Sequence, residues 1–185
     1  IGYDGDGFAE YIATAHALFA WDVSDRSLLG TGAPNLRFIH AHGAGVSHLM
    51  PLDWLPRSIT LTNSRGVHGQ RAMEYVCMAV LMLNNRVPEM VTTQREGRWL
   101  QRFNDDLNSK TLLIVGVGHV GRSVAAWAKG LGMQVLGIRR SGKPRRHVDE
   151  MYRPQDLRTI LPQVDFVLVT CPLTASTYHM FGEYE

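Results

Sequence analysis

The chain reads as an α/β protein built on parallel sheet, and three observations carry that reading. Residues 110–170 alternate β-rich apolar runs with helical stretches over short connections, the pattern of a parallel sheet with crossover helices on its faces. A Gly116-x-Gly118-x-x-Gly121 turn leaves the first of those runs and opens a helix. Upstream, LFAW, Leu36 to Ala41 and Ile59 to Thr62 supply three more short strands.

Taken in order, the opening IGYDGDG is irregular, being rich in glycine and acid, and Ala9 to Phe19 reads as a helix running into the strand LFAW. Leu36 to Ala41 ends in His42-Gly43-Ala44-Gly45-Val46. Residues 70–87 form a long helix, apolar almost all round, as suits a helix buried between layers or at a subunit contact. Its Met73, Met78 and Met82 are expected to pack in a core. Pro88 is expected to end it. Residues 89–109 are polar, with Trp99 and Phe103 as isolated anchors, and read as an arm connecting two domains. The boundary is placed there: 1–88 in one domain, 89–185 in the other. Then follow the strand Leu112 to Val115, an alanine-rich helix closed by Gly130 and Gly132, and the strand Gln134 to Ile138. Pro154 to Leu161 gives a short helix and Val164 to Thr170 a buried strand. Cys171-Pro172-Leu173-Thr174 leaves that strand's carboxyl end, where a parallel sheet places ligand contacts.

Composition narrows the field. Of 185 residues, 45% are hydrophobic and 19% charged, the balance of a soluble globular protein. A net charge of +2, with one short basic cluster, argues against a dedicated nucleic-acid binder. Tyr75 to Leu83, the longest apolar stretch, is too short to span a membrane. Cys77 and Cys171 fit no metal or redox spacing, no metal site is read, and a reduced cytoplasmic setting is expected. The chain opens on Ile1 rather than methionine and shows no signal peptide.

The glycines carry chemistry. Gly116 permits a tight turn, Gly118 lets backbone approach a pyrophosphate, and Gly121 lets helix and strand pack closely. The free N–H groups at the helix start then face phosphate along the helix dipole. An NAD site usually has an acid at the end of the second strand, about 20 residues on, to bind the ribose diol. Here Arg139-Arg140-Ser141 stands there. Two guanidiniums and a hydroxyl suit a 2′-phosphate that a carboxylate would repel, so NADP is expected, with NAD second. Lys143, Arg145 and Arg146 continue the run and read as a solvated basic loop. In the other half, small residues at Gly43, Ala44, Gly45 and Val46 let several backbone N–H groups converge, a nest suited to a carboxylate.

These motifs together resemble the D-isomer-specific 2-hydroxyacid dehydrogenase family. The resemblance runs over roughly residues 20–181. GAGV is followed by LTNSRGVHG (61–69), Met73-Glu74-Tyr75, a long helix ending Arg86-Val87-Pro88, IVGVGHVGRSVA and DFVLVTCPLTAST. Arg139-Arg140-Ser141 is similar to the NADP-preferring, glyoxylate/hydroxypyruvate reductase-like branch. The resemblance implies a partial flavodoxin-like substrate domain and a partial Rossmann domain, with an active site in the cleft between them. It also implies substrate carboxylate on Gly43 to Val46, pyrophosphate on His119 and Val120, and cofactor ribose or nicotinamide near Cys171, Pro172 and Thr177. A homodimer paired through residues 70–105 and a small 2-keto or 2-hydroxy acid substrate follow from it too. Ser47 stands where the family often has aspartate.

The family's catalytic arginine, glutamate and histidine lie beyond the CPLT loop, and this chain reaches Glu185 without them. Reduction of a 2-keto acid needs a general acid, a role that suits histidine. None of His40, His42, His48, His68, His119, His147 and His179 is assigned that role. His42 abuts the anion loop and has the best case for touching substrate. Two readings compete: a fragment of an NADP-dependent 2-keto acid reductase, and a shortened, non-catalytic nucleotide-binding or interaction module. Two half-domains of roughly 90 residues bury little core apiece, which favours the reductase.

Overall fold

The computed structural model describes residues 7–23 and 26–185, so the opening expected to be irregular lies, except for Gly7, outside the described residues. The chain forms two compact units, residues 1–67 and 68–185.

In the first unit α1 (Phe8–Thr14) precedes three strands, β1 (Ala17–Ala20), β2 (Phe38–Ala41) and β3 (Thr60–Asn63), with the short α2 (Leu28–Thr31) between β1 and β2. The sheet order is β1-β2-β3 and both pairings are parallel, Ala17 opposite Phe38 and Phe38 opposite Thr60. The helix expected to reach Phe19 stops at Thr14, where Ala15 turns extended. Leu18 and Phe19 pair with β2 instead, because a strand edge satisfies their backbone groups while Leu18 packs on the core. That core is Ile12, Val23, Leu29, Leu36, Ile39 and Ile59.

The second unit opens with α3 (Gly69–Asn84) and α4 (Val87–Arg95). Pro88 does not stop α3. Asn85 and Arg86 do, Arg86 adopting a left-handed φ of 52°, and Pro88 sits in the first turn of α4, where its missing N–H costs nothing. Part of the segment read as a connecting arm is therefore helical. One side of α3 packs on the rest of the unit through Met73, Val76 and Val80, so by contacts this helix belongs with residues 68–185 rather than with the segment that precedes it. Its other side is not buried: Tyr75, Met78, Leu81, Met82 and Leu83 are exposed. Of the three methionines expected in a core, only Met73 joins one. Trp99 and Phe103, expected to be anchors, are 90% and 93% exposed among the described residues.

Four strands follow: β4 (Thr111–Val115), β5 (Gln134–Ile138), β6 (Glu150–Tyr152) and β7 (Phe166–Val169). Helix α5 (His119–Gly130) crosses from β4 to β5, and α6 (Leu157–Ile160) precedes β7. All pairings are parallel, in the order β6-β5-β4-β7. The strands alternate between two cores, which is how a parallel sheet is covered on both faces. Leu112, Ile114 and Val135 pack with Val124, Ala125 and Ala128 of α5. Leu113, Val115, Leu136 and Ile138 pack with Leu157 and Ile160 on the opposite side. Asp149 ties the segment before β6 to this body, accepting from Lys129 Nζ at 2.9 Å and from the Val135 N–H at 2.8 Å. Burial pushes its carboxyl up, but those bonds outweigh burial and hold it below the usual carboxylate range. Among the described residues no helix is long and apolar enough to cross a membrane.

Candidate functional site

Sequence order and spatial order disagree at one place in the second sheet. β5 and β6 lie on one side of β4, and β7 lies on the other, so the order in which strands are added reverses between β4 and β7. The carboxyl ends of strands flanking such a reversal leave a crevice above the sheet. The glycine turn leaves β4 there and Cys171-Pro172-Leu173-Thr174 leaves β7.

Each glycine of the turn does a different job. Gly116 has φ +99°, and a Cβ on it would fall 2.5 Å from Cys171 N and 2.8 Å from Cys171 Cα. Backbone meets backbone, so only glycine lets the ends of β4 and β7 come this close. A Cβ on Gly121 would fall 2.8 Å from the Gly116 carbonyl oxygen and 3.0 Å from Ile114, which fixes how tightly α5 sits on β4. A Cβ on Gly118 would meet nothing within 4 Å. The space in front of it is open. The N–H groups of His119, Val120 and Gly121 in the first turn of α5 find no acceptor among the described residues, whereas Gly118 N–H bonds the Gly116 carbonyl and Arg122 N–H bonds Gly118. An open hollow faced by orphan amides at a helix start is what a diphosphate requires, and the residues present fit one. Thr170 Oγ1 donates to the Gly116 carbonyl at 2.6 Å and so stitches β7 to the turn.

Arg139, Arg140 and Ser141 occupy a turn after β5, closed by the Gly142 N–H on the Arg139 carbonyl at 3.0 Å. Ser141 Oγ accepts from the Lys143 N–H at 3.3 Å. Arg140 is exposed. Nη1 of Arg139 is buried and has no hydrogen-bond partner among the described residues. A buried unsatisfied donor costs about 1–3 kcal/mol, and a phosphoryl oxygen would satisfy it. At the β7 end, Cys171 packs on Leu113 and its neighbours. Thr177 is turned inward on its own loop, its Oγ1 donating to the Pro172 carbonyl at 2.6 Å and accepting from the Thr174 N–H at 2.8 Å. Its hydroxyl shapes the Cys171–Thr174 loop.

In the first unit Gly43 to Val46 leaves β2 as a loop whose carbonyls are tied down. Gly43 accepts from the Ser64 N–H at 3.3 Å and Ala44 from Asn63 Nδ2 at 2.9 Å. The N–H groups of Gly43, Ala44, Gly45 and Val46 donate to no acceptor among the described residues. Free amides over anchored carbonyls form an anion nest. Trp21 lies against it, since a Cβ on Gly43 would meet the indole at 2.9 Å. The Trp21 ring stacks on His48 with centroids 5.6 Å apart and touches His42 at 5.3 Å. Neither Trp21 nor Asn63 was read from sequence as part of this loop. The indole's place depends on β1 and β2 lying side by side, although an aromatic at a strand's carboxyl end was a usable signal. His40 is committed elsewhere, to Thr62 Oγ1 at 2.9 Å and Ser64 Oγ at 3.1 Å.

Parallel strands in this order, with a glycine turn at the reversal, define the doubly wound dinucleotide-binding class. Comparison with known proteins narrows the class. Residues 77–185 match the family model described as "D-isomer specific 2-hydroxyacid dehydrogenase, NAD binding domain". A glyoxylate reductase of Thermococcus litoralis is 32% identical over 173 residues, covering 89% of this chain and 52% of that protein. The crystal structure of a D-isomer specific 2-hydroxyacid dehydrogenase family protein from Aeromonas salmonicida superposes with TM-score 0.79 at 33% identity, over 94% of this chain and 55% of that one. An NADPH-dependent glyoxylate/hydroxypyruvate reductase from Sinorhizobium meliloti, solved in complex with NADP and sulfate, superposes with TM-score 0.79 at 26% identity, over 94% and 54%. The chain belongs to the D-isomer-specific 2-hydroxyacid dehydrogenase family. It spans about half the length of the relatives it matches.

Proposed function

We propose that the protein reduces a 2-keto acid to a D-2-hydroxy acid, or runs the reverse, with NADP(H). The reductases it is similar to support the reaction class. The cofactor choice rests on one observation: Arg139 carries a buried, unpartnered guanidinium nitrogen where an NAD site would carry an acid. The pyrophosphate would lie on the amides of His119, Val120 and Gly121, over Gly116 and Gly118, with the 2′-phosphate on Arg139, Arg140 and Ser141. Cys171, Pro172 and Thr177 would border the ribose or nicotinamide. Bound there, the dinucleotide supplies a hydride. The nest at Gly43, Ala44, Gly45 and Val46 would hold the substrate carboxylate and so orient the carbonyl. The chain's own residues would bind and position both reactants, while no proton donor is assigned among its histidines.

The cofactor assignment is tested by titrating the whole protein with NADPH and NADH. Replacing Arg139 and Arg140 with glutamine is expected to weaken NADPH at least tenfold and leave NADH within twofold, each charge-assisted hydrogen bond to phosphate being worth about 1.5–3 kcal/mol. NADH binding tighter than NADPH in the unaltered protein would refute it.

We further infer a homodimer through residues 70–105. Tyr75, Met78, Leu81, Met82 and Leu83 on α3, Met90 and Val91 on α4, and Trp99 and Phe103 beyond it all leave large apolar groups uncovered. Trp99→Glu with Phe103→Glu should shift the sedimentation profile to a lighter species. A cytoplasmic setting fits the two free cysteines.

A further inference from the structure

The outer side of α5 carries a second cationic group of side chains. His119, Arg122, Ser123 and Ala126 are spaced so that they share one face of the helix. Facing them is a tight turn from Arg145 to Val148, closed by the Val148 N–H on the Arg145 carbonyl at 3.2 Å. His147 sits in it with φ +64°, in the third position of a turn geometry that usually calls for glycine or asparagine. With Arg146, these residues line a cleft of about 260 Å³. That is room for a tetrahedral oxyanion and several waters at about 30 Å³ each.

The lining is two guanidiniums, two imidazoles and a hydroxyl, with no carboxylate. Among the described residues, the side chains of Arg122, Arg146 and His147 make no hydrogen bond or ion pair. The nearby acids are engaged elsewhere: Asp149 with Lys129 at 2.9 Å, and Glu150 with the Tyr152 hydroxyl at 2.5 Å. His119 is held in place from behind, since even a Cβ on Gly69 would come within 2.5 Å of its ring. Like charges gathered around a concavity repel one another unless an anion joins them, and the concavity focuses their field. The contrast with the larger cleft, about 360 Å³ at the amino ends of β4 and β5, is instructive. Its Lys110 and Lys129 are each paired with aspartate. That one is balanced. The cleft on α5 is not.

We propose that His119, Arg122, Ser123, Arg146 and His147 form a binding site for a phosphoryl dianion. None of Arg139, Arg140 and Ser141 lines it, so it is a different place from the turn assigned above to the 2′-phosphate, and it does not depend on the oxidoreductase reading. Free phosphate and a phosphoryl group carried on a nucleotide share the chemistry that this site recognises.

Calorimetric titration of the whole protein with inorganic phosphate, at constant ionic strength, tests the site. The unaltered protein should show saturable binding. The Arg139→Gln, Arg140→Gln protein, which lacks the guanidiniums assigned to the 2′-phosphate, should still show saturable binding, and adding Arg122→Gln with Arg146→Gln should weaken that binding about tenfold or more. Arg122 and Arg146 are exposed, so the pair should fold, and an unchanged melting temperature checks this. Repeating the titration with saturating NADPH or NADH separates the two sources. Phosphate displaced by NADPH but not by NADH puts a nucleotide's 2′-phosphate in this cleft and overturns its assignment to Arg139, Arg140 and Ser141; phosphate retained beside both identifies the free anion. Absence of saturable binding, unchanged affinity in the Arg122/Arg146 pair, or loss of binding in the Arg139/Arg140 pair would each overturn the site.

Discussion

The loop after β2 and the loop after β4 both leave the carboxyl end of a parallel strand, and their glycines serve opposite ends. At Gly116 and Gly121 an added methyl would strike backbone at 2.5 and 2.8 Å. At Gly45 it would meet nothing within 4 Å, and at Gly43 the obstacle is the Trp21 side chain at 2.9 Å. In the second sheet, glycine is demanded by the fold. In the first, it keeps the space above the amides clear, and the fold would tolerate more. The same residue type therefore reports architecture in one place and access in the other.

That contrast can be broken by substitution. Gly116→Ala carries the largest expected effect: overpacking of about 1–3 kcal/mol adds to about 1–2 kcal/mol for forcing a side chain to positive φ, and denaturant unfolding should show the sum. A loss below about 1 kcal/mol would mean that the strand ends can separate. Gly121→Ala should cost about 2 kcal/mol by the same measurement, since its backbone is relaxed but its methyl meets the Gly116 carbonyl and Ile114. Thr170→Val removes the stitch to Gly116, whose carbonyl keeps only the Gly118 N–H, for about 1 kcal/mol in stability and a weaker dinucleotide affinity by fluorescence titration. Gly45→Ala should change stability by no more than about 0.5 kcal/mol, yet raise KM for the keto acid proposed as substrate, in steady-state assays of the whole protein. A Gly45→Ala protein that unfolds readily would erase the difference between the loops.

How much of this could be read beforehand follows the range of the interactions involved. β4, the glycine turn, α5 and β5 were legible because one local pattern, apolar run then GxGxxG then amphipathic helix, specifies all four. β6 was not, since Glu150–Tyr152 is three residues long and exists only because β5 offers it an edge. α4 was missed because proline was read as a stop, whereas Pro88 begins a helix after Arg86 has already turned the chain. The loop at Gly43 to Val46 was legible as small residues after a strand. Its supports were not: Asn63 reaches Ala44 across 19 residues of sequence, and Trp21 arrives from a neighbouring strand. Residues 70–87 read as apolar almost all round, and among the described residues only one side of α3 is covered, through Met73, Val76 and Val80.

The bond from Thr170 to the Gly116 carbonyl has a consequence for assembly. Its partners are 54 residues apart, and the close approach of Gly116 to Cys171 spans a similar distance. A pocket whose walls come from remote parts of a polypeptide closes only after the intervening segments have found their places, which makes it a late event in self-organisation. Ligand capture should accordingly appear last in refolding time courses, after the secondary structure has recovered.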